Sequence, residues 1–362
     1  MDTSISNRKE EHIVQALKPE NQGPLSTHLE DVILIHQPLV EVSYDEVSLE
    51  TEFLGYRLGA PIIISSMTGG TAMSYDINKK LASTAEKYKL AIGVGSQRAM
   101  IVNPDTTYTY RVVREEAPNV PVIANIGLAQ LSKLSKQDIE SIVEAIEADA
   151  LAVHLNILQE IVQPEGDRDF RGSVKALEKI IEWLNIPVIV KEVGTGISRE
   201  CAELLKMIGV KIIDVAGAGG TNWVSIELSR IKDKKLVDTF NVFRYWGIPT
   251  AISIAEVSSI DDITVIGSGG IRDGLDIAKA ISLGSDIVGI AQPFLIHVIK
   301  NTVDDYVQSI LTQLKVSMML TGSKNIQELK NAKIVITGKL ATWICARRLR
   351  LRNKYAYISC LT

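Results

Sequence analysis

Four polar residues of different kinds, His154, Asn156, Gln159 and Glu160, follow directly on the apolar run ALAV. A histidine in such a place can be a structural hydrogen-bonder. Asn and Gln beside it suit the anchoring of an anionic ligand, and Glu160 offers a hard oxygen for Mg2+. Arg98 adds a fixed cation. Arg8, Lys9 and His12, in NRKEEH, form a basic cluster near the N-terminus, which as a plain charge run would only be solvated. A second set lies in GSGGIR, Gly267 to Arg272. Its glycines let backbone approach a phosphate, and a helix from Asp273 onward is expected to present free N–H groups and a favourable dipole. A tight turn explains a lone GxGG equally well, so its setting in the fold has to decide.

The elements that must carry these residues are eight short apolar runs: PIIIS, LAIGVG, VPVIAN, ALAVHLN, IPVIVK, VKIIDVAG, TVIGSG and SDIVGIA. Such near-continuous apolar character is expected of parallel strands buried on both faces. Between most of them lie stretches with helical spacing, among them KKLASTAEKYK, KQDIESIVEAIEA, RGSVKALEKIIEWL and GLDIAKAISLG. The alternation predicts a closed (β/α)8 TIM barrel, with a doubly wound open sheet as the rival arrangement. PTAIS near Pro249 reads as the entry to a helix, not as a ninth strand. VSLETEFLGYRL reads as a hairpin able to plug the barrel bottom. The expected organisation is an N-terminal extension over 1–60, the barrel over 61–340 and a basic tail over 341–362.

In such barrels chemistry sits at the carboxyl ends of the strands. Here those ends are Ser66-Met67-Thr68-Gly69-Gly70, Ser96-Gln97-Arg98, Asn125, His154 to Glu160, Lys191-Glu192, Asp214 with Ala216 to Trp223, Gly267 to Arg272, and Gly289 to Gln292. Turn chemistry accounts for Gly and Asn, but not also for His, Lys, Arg, Gln and Glu. GSGGIR as the seventh strand end, followed by GIAQ at the eighth, is the barrel's phosphate-binding place. Lys191 is either a solvated strand terminus or a cation beside the N1–C2 edge of a flavin, where it would stabilise the reduced ring. Ser96 and Asn125 could hydrogen-bond the ring, and Thr68 and Thr221 suit ring or phosphate contacts.

Composition narrows the class. The chain has 362 residues, 46% of them hydrophobic and 23% charged, enough for a large buried core. A net charge of −4 argues against a nucleic-acid footprint. No apolar run is long enough to span a bilayer, and MDTSISNRKEEH lacks the apolar stretch of a secretory leader, so a cytoplasmic enzyme without membrane partners is expected. Cys201, Cys345 and Cys360 are few, odd in number and without metal spacing, which predicts neither a disulfide framework nor a zinc site.

Taken together, NRKEEH, SSMTGG, GVGSQR, ANIG, AVHLNILQE, VKEVGTGIS, DVAGAGGTNW, GSGGIRDGLDIAKA and MMLTGSK resemble the type II isopentenyl-diphosphate isomerases, FMN-dependent barrels, and most of all their archaeal members. The motifs run from residue 7 to about 340. The resemblance implies flavin contacts at Ser66, Met67, Thr68, Ser96, Asn125, Lys191 and Thr221, and a cofactor phosphate at Gly269, Gly270, Arg272, Ala291 and Gln292. It implies diphosphate contacts at Arg8, Lys9, Ser96, Gln97, Arg98, His154 and Asn156, a substrate-side Gln159, and Glu160 as the Mg2+ ligand. Trp223 and Glu227 would line the same pocket, so that Gln159, Lys191, Glu227 and Trp223 are the candidate catalytic residues. The implied reaction is the reversible isomerisation of isopentenyl to dimethylallyl diphosphate in isoprenoid biosynthesis. FMN would act reduced, with NAD(P)H as a priming reductant, in a homo-tetramer or octamer.

The end of the chain departs from that pattern. ATWICARRLRLRNKYAYISCLT, with Arg347, Arg348, Arg350, Arg352 and Lys354, reads as basic and strand-like. A basic tail could touch nucleic acid, while a divergent end or a change of reading frame explains it as well. Two rival functions remain. An FMN-dependent oxidoreductase of the 2-hydroxy-acid oxidase type would need a His–Arg pair, yet Gly219-Gly220-Thr221-Asn222 offers no histidine after the sixth strand. A non-catalytic phosphate-ligand barrel leaves Gln159 and Glu160 without a role.

Overall fold

The eight apolar runs become eight parallel strands: β1 Ile62–Ile64, β2 Ala91–Gly93, β3 Val122–Gly127, β4 Ala150–His154, β5 Val188–Lys191, β6 Ile212–Asp214, β7 Thr264–Ser268 and β8 Ile287–Ile290. They come from a computed structural model that describes residues 3–360. The sheet closes on itself where β8 pairs with β1, Val288 opposite Ile62, so the barrel is the (β/α)8 form and the open sheet is excluded. Strand alternation sorts the side chains. Ile62 and Ile64 point outward to the helix layer, while Ile63 points inward with Ala91, Ile123, Ala150, Ile189, Ile212, Ile266 and Ile287. Each fully buried Ile contributes roughly 1.5–3 kcal/mol.

The hairpin Thr51–Phe53 and Tyr56–Leu58 turns through Leu54 and Gly55, both at positive φ, a two-residue connection that matches strand twist. Phe53 and Leu58 join the inward cluster and close the barrel bottom, as the sequence pattern predicts. PTAIS is indeed a helix entry, for Thr250–Ser258 is a wholly buried helix. The helix Thr3–Ala16 lies over the opposite end, with Arg8, Lys9, His12, Ile13 and Ala16 facing the barrel mouth. Behind it, Gly23 N–H donates to Gly220 O at 2.8 Å and Asn222 N–H to Asn21 O at 2.9 Å. These bonds strap the N-terminal segment to the loop after β6.

Three readings of the chain end are corrected. Gly338–Arg347 is a helix, not a strand, because Leu340, Ala341 and Ile344 bury one helical face; only Ala356–Ile358 is extended. The 340/341 boundary therefore falls inside a helix. The short strand pairs with Ile334–Ile336, which also pairs with Val32–Leu34, so both ends of the chain share one sheet. Arg347 is engaged by Glu256 and Glu200, and Arg352 by Asp286 and the carbonyls of Ile260 and Ile263. Trp343 Nε1 donates to the buried Glu256 at 2.6 Å. Finally, Cys345 and Cys360 form a disulfide, Cα atoms 5.6 Å apart, since the helix and the returning strand bring them together. Cys201 stays a free thiol, its pKa raised by burial. Among the described residues no helix is long and apolar enough to cross a membrane.

Candidate active site

All eight strand ends open on one cavity of about 1770 Å3, counting the space open at its mouth. Every proposed cofactor residue lines it: Ser66, Met67, Thr68, Ser96, Asn125, Lys191, Thr221, Gly269, Gly270, Arg272, Ala291 and Gln292. Arg8, Lys9, Arg98, His154, Asn156, Gln159, Glu160 and Trp223 do so as well.

Two candidates lie outside the lining. Gln97 is fully buried behind the wall, its amide donating to Ile142 O at 2.9 Å and accepting from Asn125 N–H at 3.1 Å. Its side chain is spent on holding β2 to β3 and cannot reach a diphosphate. Glu227 is also fully buried, one helical turn after Trp223. It accepts from Gln159 Nε2 at 3.1 Å and from Arg230 at 2.6 Å. His12 Nε2 stands 3.0 Å away, at ion-pair distance though not along a hydrogen-bond line. Burial pushes the Glu227 carboxyl up, but His12, Gln159 and Arg230 outweigh it and hold it below the usual carboxylate value. Glu227 thus positions Gln159 and does not face a ligand.

The phosphate cradle also differs from expectation. At the helix Gly274–Leu283, Gly274 N–H already donates to Gln313 at 2.9 Å and Asp276 N–H to Asp273 at 2.8 Å. With two carboxylates there, this N-terminus repels an anion. The uncapped terminus is that of Gln292–Ile299, whose N-cap Ala291 makes no side-chain cap. The glycines let the loops after β6 and β7 approach each other closely. Gly269 and Gly270 sit at φ +102° and +71°, where a Cβ would meet Gly217 O at 2.2 Å and Gly219 O at 2.4 Å. Arg272 ties the same loops, donating to Gly270 O at 2.7 Å and to Gly219 O and Gln22 at 3.2 Å. Gly269, Gly270, Arg272, Ala291 and Gln292 therefore suit a phosphate, held by backbone and guanidinium.

Across the cavity, Lys9 Nζ donates to Gly69 O, Ser96 O and Tyr110 Oη at 2.7, 2.8 and 2.7 Å. Burial, then the Arg8 charge, pull its pKa down to about 7. Three acceptors nevertheless require three N–H donors, the geometry of the charged form. Its donors being taken, Lys9 supplies charge to an anion and no direct hydrogen bond without rearrangement. His154 Nδ1 lies 2.9 Å from Asn125 Oδ1, while Asn125 Nδ2 donates to Val94 O at 3.1 Å. The imidazole thus donates from Nδ1, and its Nε2 edge lies close to the β3 backbone at Gly127. Burial, then Lys191 and Lys9, bring its pKa down to about 3.

Glu160 is buried, its oxygens accepting from Asn156 Nδ2 at 3.1 Å and Asp167 N–H at 2.8 Å. Asn156 Oδ1 beside it is buried without a partner. One carboxylate and an orphaned amide oxygen fit Mg2+, which typically takes one or two carboxylates and fills its octahedron with water and substrate phosphate.

A profile of the FMN-dependent dehydrogenase family matches residues 95–336. The isopentenyl-diphosphate delta-isomerase of Metallosphaera sedula is 43% identical over 355 residues, covering 96% of this chain and 97% of its own. That of Sulfurisphaera tokodaii is 44% identical over 357 residues, covering 96% of each. The chain belongs to the isopentenyl-diphosphate delta-isomerase family. Among solved structures, a flavocytochrome b2 mutant superposes with TM-score 0.66 at 18% identity, covering 97% of this chain and 89% of that one. A mandelate oxidase mutant with an FMN adduct gives 0.61 at 16%, covering 90% and 92%. At such identities these two share the fold alone.

Several side chains of this isopentenyl-diphosphate delta-isomerase family site carry no clear mark in sequence. Gln163, with its amide accepting from Arg8 at 3.1 Å and donating to Glu227 at 3.2 Å, links the N-terminal helix to the buried carboxylate. Arg230 joins Glu227 to Glu11 and Glu165, both at 2.9 Å. Gln22 reaches the cavity from the N-terminal strap. Asp214 and Ser268, at neighbouring strand ends, line the wall hydrogen-bonded to each other. Of these only Asp214 and Ser268 were visible, as polar ends of apolar runs.

Proposed function

We propose that this chain interconverts isopentenyl and dimethylallyl diphosphate by a 1,3-allylic proton shift, with reduced FMN and Mg2+ bound in the barrel mouth. What carries the reading is one cavity that holds both a glycine–arginine phosphate cradle and, on its other side, Arg8, Arg98, Asn156 and Glu160. The curated relatives named above support the same activity.

Protonating an unactivated alkene at C4 places cationic character on C3, and the balancing step removes a proton from C2. Reduced FMN, when bound, supplies an acid/base centre at N5. The chain's own residues do the rest. Gly269, Gly270, Arg272, Ala291 and Gln292 would hold the cofactor phosphate. Ser66, Met67, Thr68, Ser96, Asn125 and Thr221 would surround its ring, and Lys191 would stabilise negative charge on it. Arg8, Arg98 and the Lys9 charge would neutralise the diphosphate, with Glu160 holding Mg2+ against it. Gln159, gripped by Glu227 at 3.1 Å and by Asn156 at 3.3 Å, is held in one orientation toward the allyl group. Trp223, Met67, Ile13 and Leu295 supply apolar wall that excludes water.

The change is redox-neutral, so NAD(P)H would prime the cofactor and not be consumed in proportion to product. A 2-hydroxy-acid oxidase reading is disfavoured, since no histidine occurs in the loop from Ala216 to Trp223. The proposal extends to a cytoplasmic homo-tetramer or octamer. Exposed Val242, Tyr245 and Trp246 support assembly, being apolar surface of the kind subunit contacts cover. The test is reductant stoichiometry under anaerobic conditions with radiolabelled isopentenyl diphosphate. Many turnovers per NADH oxidised are expected; one NADH per turnover, or peroxide in air, would favour the oxidoreductase.

A further inference from the structure

One buried acid in the cavity has no part in the reaction as derived. Asp214 ends β6 directly opposite Lys191 of β5 in the strand register, and both line the cavity. Asp214 is 6% exposed. Its Oδ1 accepts from the Ser268 hydroxyl and, at 3.3 Å, from Ala216 N–H. Its Oδ2 makes no hydrogen bond among the described residues. Lys191 meanwhile donates to Glu192 O at 2.6 Å and forms no ion pair with Asp214 within 4 Å. With one oxygen anchored and the other open to the cavity, the carboxyl is placed to meet a ligand there. Burial raises its pKa, against Lys191, Ser268 and Ala216 N–H, which favour the charged form.

We infer that Asp214 is a further residue for cofactor tuning: its carboxylate faces the bound ring beside the Lys191 ammonium and offsets part of that positive charge. The inference rests on FMN occupying this cavity as proposed above. A lone lysine there would favour the more negative, reduced ring more strongly. A carboxylate in register moderates that preference and so sets how strongly the protein distinguishes the two redox states. The Ser268 hydroxyl, anchoring Oδ1, keeps the other oxygen turned inward.

The test is the ratio of affinities for reduced and oxidised FMN, from the midpoint potential of bound against free FMN at pH 8. Asp214→Asn keeps the shape and the Ser268 contact but removes the charge. It is expected to favour the reduced form about tenfold, a rise of about 30 mV for a two-electron couple. Ser268→Ala, which loosens the carboxylate without deleting it, is expected to move the ratio by about threefold; it decides the matter if the Asn variant does not fold. Ratios within twofold of wild type in the folded variants would overturn the role of Asp214. Failure of the wild type itself to bind FMN would instead overturn the proposed function.

Discussion

The His154 ring makes a prediction that can be worked from the structure. Its pKa in the folded chain is brought down to about 3 from an ordinary 6.5, first by burial and then by the Lys191 and Lys9 charges. In the window between those values the unfolded chain binds a proton there that the folded chain refuses. Stability attached to the neutral ring is therefore complete above pH 6.5 and is lost as pH falls toward 3. At 1.36 kcal/mol per pH unit the upper bound is about 5 kcal/mol. The ring keeps some surface toward the cavity, so about 2–3 kcal/mol is the expected loss. His154→Asn removes the titrating group while keeping a polar side chain beside Asn125. Urea unfolding of the ligand-free protein, followed by circular dichroism from pH 7 to pH 4, should show the wild type losing more stability than the variant. Carboxylates such as Glu227 and Glu165 contribute alike to both proteins, so the difference isolates the ring. Superimposable stability–pH curves would refute the reasoning that burial and two lysines keep this imidazole neutral.

Other perturbations probe separate parts of the site. Glu227→Leu leaves Arg230 with Glu11 and Glu165 but removes the acceptor that holds Gln159. It should cost about 3 kcal/mol in urea unfolding and lower kcat by roughly 100-fold with little change in KM, whereas unchanged kcat would deny Glu227 its positioning role. Gly270→Ala sets a Cβ 2.4 Å from Gly219 O at φ +71°, and strain of about 1–3 kcal/mol should weaken FMN binding roughly 10- to 100-fold by fluorescence titration. Normal FMN affinity would show the two loops free to part. Cys345→Ser opens the 15-residue disulfide separation and should lower stability by about 3 kcal/mol under oxidising conditions, with isomerase activity intact, since no described residue after Leu295 lines the cavity. Lost activity in the folded variant would mean that the tail reaches the site.

The barrel was legible because parallel strands buried on both faces leave uninterrupted apolar runs, and the site was legible because polar residues interrupt those runs at one end. What escaped has physical reasons. Gln97 stands between Ser96 and Arg98, which both face the cavity, but it caps the short helix Arg98–Val102 and its amide enters the wall. Glu227 shares a helical face with Trp223, and the larger side chain takes the surface. The helix after GSGGIR carries Asp273 and Asp276, a sequence-level sign that its amides are already capped. Arg230 and Gln163 matter only through contacts made in three dimensions. The Cys345–Cys360 pair needed the helix and strand of the chain end, which arginine-rich composition disguised.

Turnover as a function of flavin state tests the central claim most directly. Purified protein, stripped of flavin and then reconstituted with FMN and Mg2+, is assayed anaerobically for conversion of isopentenyl to dimethylallyl diphosphate before and after dithionite bleaches the visible band. The account predicts conversion only by the bleached, FMN-loaded protein. Equal conversion by the flavin-free chain would contradict it.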